Sequence, residues 1–220
     1  MGMDRLSRFL RGAGLVTQGL SGRNIMPRVD AAVAGLGLVR EAMRQGERSA
    51  PEGRLLPVRT IADRVAIIAG NMRAGSRHPP IVSLARQLVS QRCGDGWCIR
   101  PRDELGMIQV IHAYACDWVR WVKDPVGIDW YAHPRHTLND RAGDCDEKVA
   151  VEGALLGAVG IPVNLVVGQE VGATSWSHIW DEALPDGLEP IPLDPSEDEQ
   201  PAGWELPPER LMARKSFPIW

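Results

Sequence analysis

The hydrophobic period of this chain changes once, and that change constrains its fold more than any other feature. Up to Val159 apolar residues recur at helical intervals; beyond Gly160-Ile161-Pro162 they fall into short β-prone runs. Thr60-Ile61-Ala62-Asp63 has the spacing of an N-terminal cap ahead of Val65, Ile68 and Met72, and Pro79-Pro80 opens a second helix through Ile81, Leu84 and Leu88. Asp103-Glu104 starts a long helix expected to reach about Lys123, where Asp124-Pro125 stops it. Asp144, with Glu147 three residues on, caps a further helix that Gly160 and Pro162 terminate. Val163–Val167, Ser177–Leu184 and Pro190–Leu193 then read as strands separated by turns. Helices first and strands afterwards predict an α+β domain in which N-terminal helices pack on a small antiparallel sheet.

Charge divides the chain differently. The total of −3 conceals ten Arg against five acids in residues 1–59, near balance in 60–180, and three cations against ten acids in 181–220. The expected organisation is a basic, Gly-rich N-terminal arm (1–59), a core domain (60–200) and a Pro-rich acidic C-terminal tail (201–220). Within the arm, Pro27–Arg44 is its best helix candidate. The balance argues against a nucleic-acid-binding protein, and no run reaches the ~18 apolar residues of a membrane span. The apolar tip Phe217-Pro218-Ile219-Trp220 is expected to dock on its own domain or on a partner.

The chemistry gathers at three places. Cys145 opens the capped helix, where free backbone N–H groups and the helix dipole favour a thiolate and can hold an oxyanion. The flanking Asp144, Asp146 and Glu147 oppose that effect, and Lys148 offsets part of the opposition. A nucleophilic cysteine needs a base and a group to orient the base. His178 lies on one expected strand and Asp194 closes the next, so adjacent antiparallel strands can place them side by side. A buried structural cysteine, a core histidine and a turn aspartate are the plainer alternatives for each residue taken alone.

Gly143-Asp144-Cys145-Asp146, the helix end Leu155-Leu156-Gly157-Ala158-Val159-Gly160-Ile161-Pro162, Ser177-His178-Ile179-Trp180 and Leu193-Asp194-Pro195 together resemble the transglutaminase-like cysteine-enzyme superfamily. The segment Val119–Pro125, with Asp129, Pro134 and Thr137-Leu138, resembles more narrowly the small transglutaminase-like proteins of tailed bacteriophages. The resemblance implies a papain-like core with Cys145 as nucleophile, His178 as base and Asp194 as orienting acid, and no required cofactor. It implies a cysteine peptidase or amidase forming a thioester at Cys145, with a protein or a peptidoglycan peptide as substrate. It also implies a virion location, or the bacterial host cytoplasm during assembly, with other phage structural proteins bound through the two arms. The competing expectation is a non-catalytic structural protein of a phage tail or head–tail region that keeps the fold.

The remaining cysteines form a separate pattern. Cys93 and Cys98 in a loop, then His112 and Cys116 one helical turn apart, have a spacing compatible with a structural zinc site. A Cys93–Cys98 disulfide and plain thiols are the rivals. His133 and His136 are candidates to line a cleft, Trp130 and Tyr131 to stand near an oxyanion, and Trp118, Trp121, Trp176 and Trp180 to join the core.

Overall fold

Five α-helices precede the main sheet in the computed structural model, which describes Val58 and residues 60–220. They are α1 (Ile61–Gly75), α2 (Pro79–Val89), α3 (Glu104–Trp118), α4 (Pro134–Asp140) and α5 (Cys145–Ala158). A two-stranded hairpin, β1 (Arg92–Cys93) and β2 (Gly96–Trp97), joins α2 to α3. A short parallel pair, β3 (Arg120–Trp121) and β4 (Ala142–Gly143), flanks α4. The main sheet follows: β5 (Val163–Glu170), β6 (His178–Ala183), β7 (Ile191–Leu193) and β8 (Leu211–Pro218), in the order β7-β6-β5-β8 with every pair antiparallel. This is the α+β order expected from the period change, helices first and an antiparallel sheet after them. The expected N-terminal arm and its helix at Pro27–Arg44 lie outside the described residues.

α5 is the axis of the domain. It packs against α1, α2, α3, α4 and β6, and all its residues from Asp146 to Leu156 are buried. Its capping box forms as the sequence predicts, with Asp144 and Glu147 exchanging side chain-to-backbone bonds; such a cap contributes about 1 kcal/mol. Small residues permit the close packing: a Cβ added at Gly153 would lie 2.6 Å from the Met72 methyl carbon. At its end, Gly160 takes φ +88°, which only glycine adopts cheaply.

A helix buried on every side cannot carry unpaired charges. Each ionisable residue of α5 therefore has a partner from another part of the domain. Asp146 receives Arg64 from α1, Glu147 accepts the Ala132 N–H, and Glu152 bonds His112 from α3. Lys148, fully buried, donates to the carbonyls of Cys116 and Val119 and to Asp198. That lysine explains a departure from the sequence. α3 stops at Trp118 rather than near Lys123, because Lys148 takes up its last carbonyls and the chain beyond enters the β3–β4 ladder.

The C-terminal boundary also needs correcting. The expected tail is no separate arm: residues 211–218 form β8, which pairs with β5 from Asn164 to Glu170, with a register shift at Gln169/Glu170. The apolar tip docks on its own domain, with Ile219 buried and Trp220 against Gly157. Proline and acidic composition mark this stretch as a tail, but alternation into an apolar groove beside β5 outweighs composition once a strand partner exists.

Candidate active site

Sheet register brings the expected base and acid together. Asp181 pairs with Leu193 across β6 and β7. Continuing that register sets Asp194 opposite Trp180 and diagonal to His178, all on one face of the sheet. There His178 Nε2 lies 2.5 Å from Asp194 Oδ2. Ser196 donates through its N–H (3.1 Å) and its hydroxyl (2.6 Å) to the other oxygen, Asp194 Oδ1. The Trp180 ring stacks on the imidazole at 5.7 Å between centroids. With Nε2 engaged, Nδ1 is the ring nitrogen left to accept a proton.

Burial by itself would raise the Asp194 carboxyl; the bonds from His178 and Ser196 outweigh it and hold the group below the ordinary range. For His178 burial opposes protonation, but the Asp194 bond and charge, then Glu170 and Glu197, carry its pKa above the usual value. These shifts make His178 a stronger base and stabilise the imidazolium that forms when it takes up a proton.

Cys145 starts α5, where the helix cannot satisfy its own first N–H groups. Asp144 Oδ1 takes the Asp146 N–H at 2.9 Å, and the Cys145 sulfur lies 3.8 Å from Asp146 Oδ1. Arg64 clamps that carboxylate through Nε at 3.0 Å and Nη2 at 2.7 Å. The outcome reverses the thiolate expectation from the helix terminus. Burial, followed by the charges of Asp146 and Asp144, pushes the thiol well above its ordinary pKa, and Arg64 only partly counters them. The same surroundings raise Asp146 to about 6, burial being the main cause. Glu147 rises to about 8, through burial and the Asp144 charge.

Cys145 and His178 line one cavity of about 410 Å³, together with Trp121, Glu170, Ser177, Ser196, Glu197 and Leu206. The three expected site residues therefore share one place: the thiol and imidazole on the cavity wall, the carboxylate 2.5 Å behind the imidazole.

Other expectations fare differently. His133 and His136 stand outside this lining. His133 instead caps α4, accepting the Arg135 N–H, and its ring meets those of His78 and His136. Burial, with these cationic neighbours, lowers it to about 4. Trp121, expected in the core, is 47% exposed and forms part of the cavity. Trp130 is exposed also, and its backbone N–H is held by Asp124.

The four-ligand zinc expectation is corrected. Cys93 and Cys98 form a disulfide, spending two of its thiolates. His112 gives Nδ1 to Glu152 at 2.7 Å, and its Nε2 lies 3.2 Å from the Gln200 carbonyl oxygen and 3.6 Å from the Cys116 sulfur. These residues are joined to one another and do not converge on an ion.

Arg64 and the cavity-wall residues Glu170, Ser196 and Glu197 are absent from the sequence expectations. Ser196 carried a local signal, since a serine two residues beyond an aspartate can bond back to it. Arg64 carried none, as 82 residues separate it from Asp146.

Residues 99–195 match the family model of the transglutaminase-like superfamily. No curated protein matches the chain. Among solved structures it is similar to a proposed cysteine protease from Cytophaga hutchinsonii, at 17% identity and a TM-score of 0.41, over 70% of this chain and 47% of that one. A proposed protease from Parabacteroides distasonis is similar at 14% identity and a TM-score of 0.45, over 66% of this chain and 31% of the other. The chain thus spans less than half the length of either protein.

Proposed function

We propose that this protein is a cysteine hydrolase that cleaves amide bonds through a thioester on Cys145. The supporting observation is the His178–Asp194 pair at 2.5 Å, standing on the wall of the cavity that also exposes Cys145. The raised thiol pKa means that Cys145 rests protonated, so deprotonation accompanies attack. His178 Nδ1 takes the thiol proton as the sulfur bonds to the substrate carbonyl carbon. The C–N bond then breaks, and the amine leaves with the proton from His178. Water next attacks the thioester, His178 takes its proton, and the C–S bond breaks to release a carboxylic acid and restore the thiol. The Cys145 N–H at the helix start is the oxyanion donor in this scheme. Asp194 keeps the imidazole in the required tautomer.

The test is acylation by p-nitrophenyl acetate, read by intact-mass spectrometry and nitrophenolate release. One acetyl group should appear on Cys145 and turn over; it should be missing in Cys145→Ala and strongly slowed in His178→Ala. An adduct elsewhere, or none, overturns the reading.

A protein substrate, and association with a tailed-phage particle or its assembly in the host, form the finer part of this proposal. They rest on the sequence resemblance and on the basic N-terminal segment; the C-terminal segment no longer serves as a second arm, since it is β8. Co-purification of the protein with assembled particles, at fixed stoichiometry, is the measurement that decides it.

A further inference from the structure

The walls of the cavity carry more negative than positive charge. Glu170, Asp194 and Glu197 lie at or directly behind it, with Asp144 and Asp146 beside the nucleophile. Three of these five carboxylates are matched: Asp146 by Arg64, Glu170 by Arg210 at 3.1 Å, and Asp194 by His178. Asp144 spends one oxygen on the helix cap. Among the described residues Glu197 makes no side-chain hydrogen bond or ion pair, and no lysine or arginine belongs to the cavity lining. Its charge is nonetheless felt inside, since it helps to raise His178. On the same wall Trp121 and Leu206 provide apolar surface. A glutamate with no ion pair among the described residues, in a cavity that an aromatic ring also lines, fits an aliphatic stem ending in a cation: the head pairs with the acid, and the stem or the cation itself lies on the ring.

We propose that Glu197 is a specificity-determining residue that selects a basic side chain, of lysine or arginine type, on the acyl group transferred to Cys145. Glu197 and Cys145 line the same cavity, so the acyl group carried on Cys145 is the part of a substrate that the proposal assigns to it. The inference rests on the cysteine-hydrolase reading and gives it a substrate class.

The experiment compares acylation of the full chain by p-nitrophenyl esters of Nα-blocked lysine, norleucine and glutamate, which share a leaving group and differ in side-chain charge. The lysine ester should acylate about 10- to 100-fold faster than the norleucine ester, the range a charge-assisted bond provides, with the glutamate ester slowest. In Glu197→Gln the lysine-to-norleucine ratio should fall towards one. The wild-type ratio should also shrink as salt is raised, which needs no variant. Acylation of Cys145 with equal rates for lysine and norleucine overturns the specificity and leaves the hydrolase reading intact. A preference that survives Glu197→Gln overturns the assignment to this residue. Absence of acylation by any ester, including the acetate, overturns both readings. If added n-butylamine speeds deacylation while the three esters acylate alike, the acidic wall serves an amine acceptor instead, and the acyl-side proposal fails.

Discussion

Among the described residues two Cys–His–acid constellations lie within this domain, and one of them lines the 410 Å³ cavity. Cys145, His178 and Asp194 come from α5, β6 and the end of β7, and two of them line the cavity. Cys116, His112 and Glu152 come from α3 and α5, with sulfur to Nε2 at 3.6 Å and Nδ1 to Oε1 at 2.7 Å. By bonding alone the second is the more complete, since its sulfur meets its imidazole whereas the Cys145 sulfur is bonded to Asp146 Oδ1. It is sealed, however: His112 and Glu152 have no exposed surface and Cys116 has 6%. Burial opposes protonation of His112, but the Glu152 charge, with Cys116, holds its pKa well above the usual value. Asp181, equally buried, is pushed far up by burial, then by Glu152. The same three residue types thus serve to join α3 to α5 in one place and offer chemistry in the other. Access, rather than hydrogen bonding, separates them.

The comparison breaks most directly at the two cysteines. Cys145→Ala should abolish acylation by p-nitrophenyl acetate, a loss beyond ~10³-fold, whereas Cys116→Ala should acylate at close to the wild-type rate. Comparable loss in both variants would show that the sealed constellation takes part. At the acids, Asp194→Asn should slow acylation by about 10²–10⁴-fold, because it leaves the imidazole in the wrong tautomer, at a stability cost no larger than that of the His178 pairing. Glu152→Ala should do the opposite. Leaving His112 buried without its partner should cost about 3–5 kcal/mol in urea unfolding.

The imidazoles also set a pH window. His178 is raised in the folded state, so its stabilisation is fully present below its unfolded value of ~6.5 and is lost as pH rises through the folded pKa. Asp194 is depressed, so its contribution is present above ~3.9 and lost as pH falls through its folded pKa. The stability gap between wild type and His178→Gln should therefore be widest between those values, at about 1.5–3 kcal/mol, and close above them. A gap that grew with rising pH would contradict the pairing. The smallest expected effect concerns the thiol's surroundings. Asp146→Asn removes a neighbouring charge and frees Arg64, so alkylation of Cys145 by iodoacetamide at neutral pH should quicken by roughly tenfold. Unchanged or slower alkylation would mean that burial alone holds the thiol up.

How far all this could be read from residue order depends on range. The α5 cap, Gly160 and the three central strands carry local signals within a few residues, and the structure keeps them. Cys145, His178 and Asp194 were legible because a helix start and two consecutive strands are simple elements with fixed periods. The end of α3 was not, because Lys148 decides it from 29 residues away. β8 was hidden by its composition, and Trp121 by the same failure of α3 to continue. The pairing of His112 with Glu152, 40 residues apart, made a sequence pattern compatible with zinc into a buried ion pair.

The sequence by itself determined the α+β order, the capped helix that presents Cys145, and the strand positions of His178 and Asp194, since each follows from backbone propensities and periodicity. Tertiary structure alone decided which Cys–His–acid set meets the cavity, that the thiol is held up rather than down, and that Glu197 has no ion-pair partner among the described residues. Those outcomes depend on desolvation and on charges brought within a few ångströms by packing, and neither quantity exists until the chain has folded.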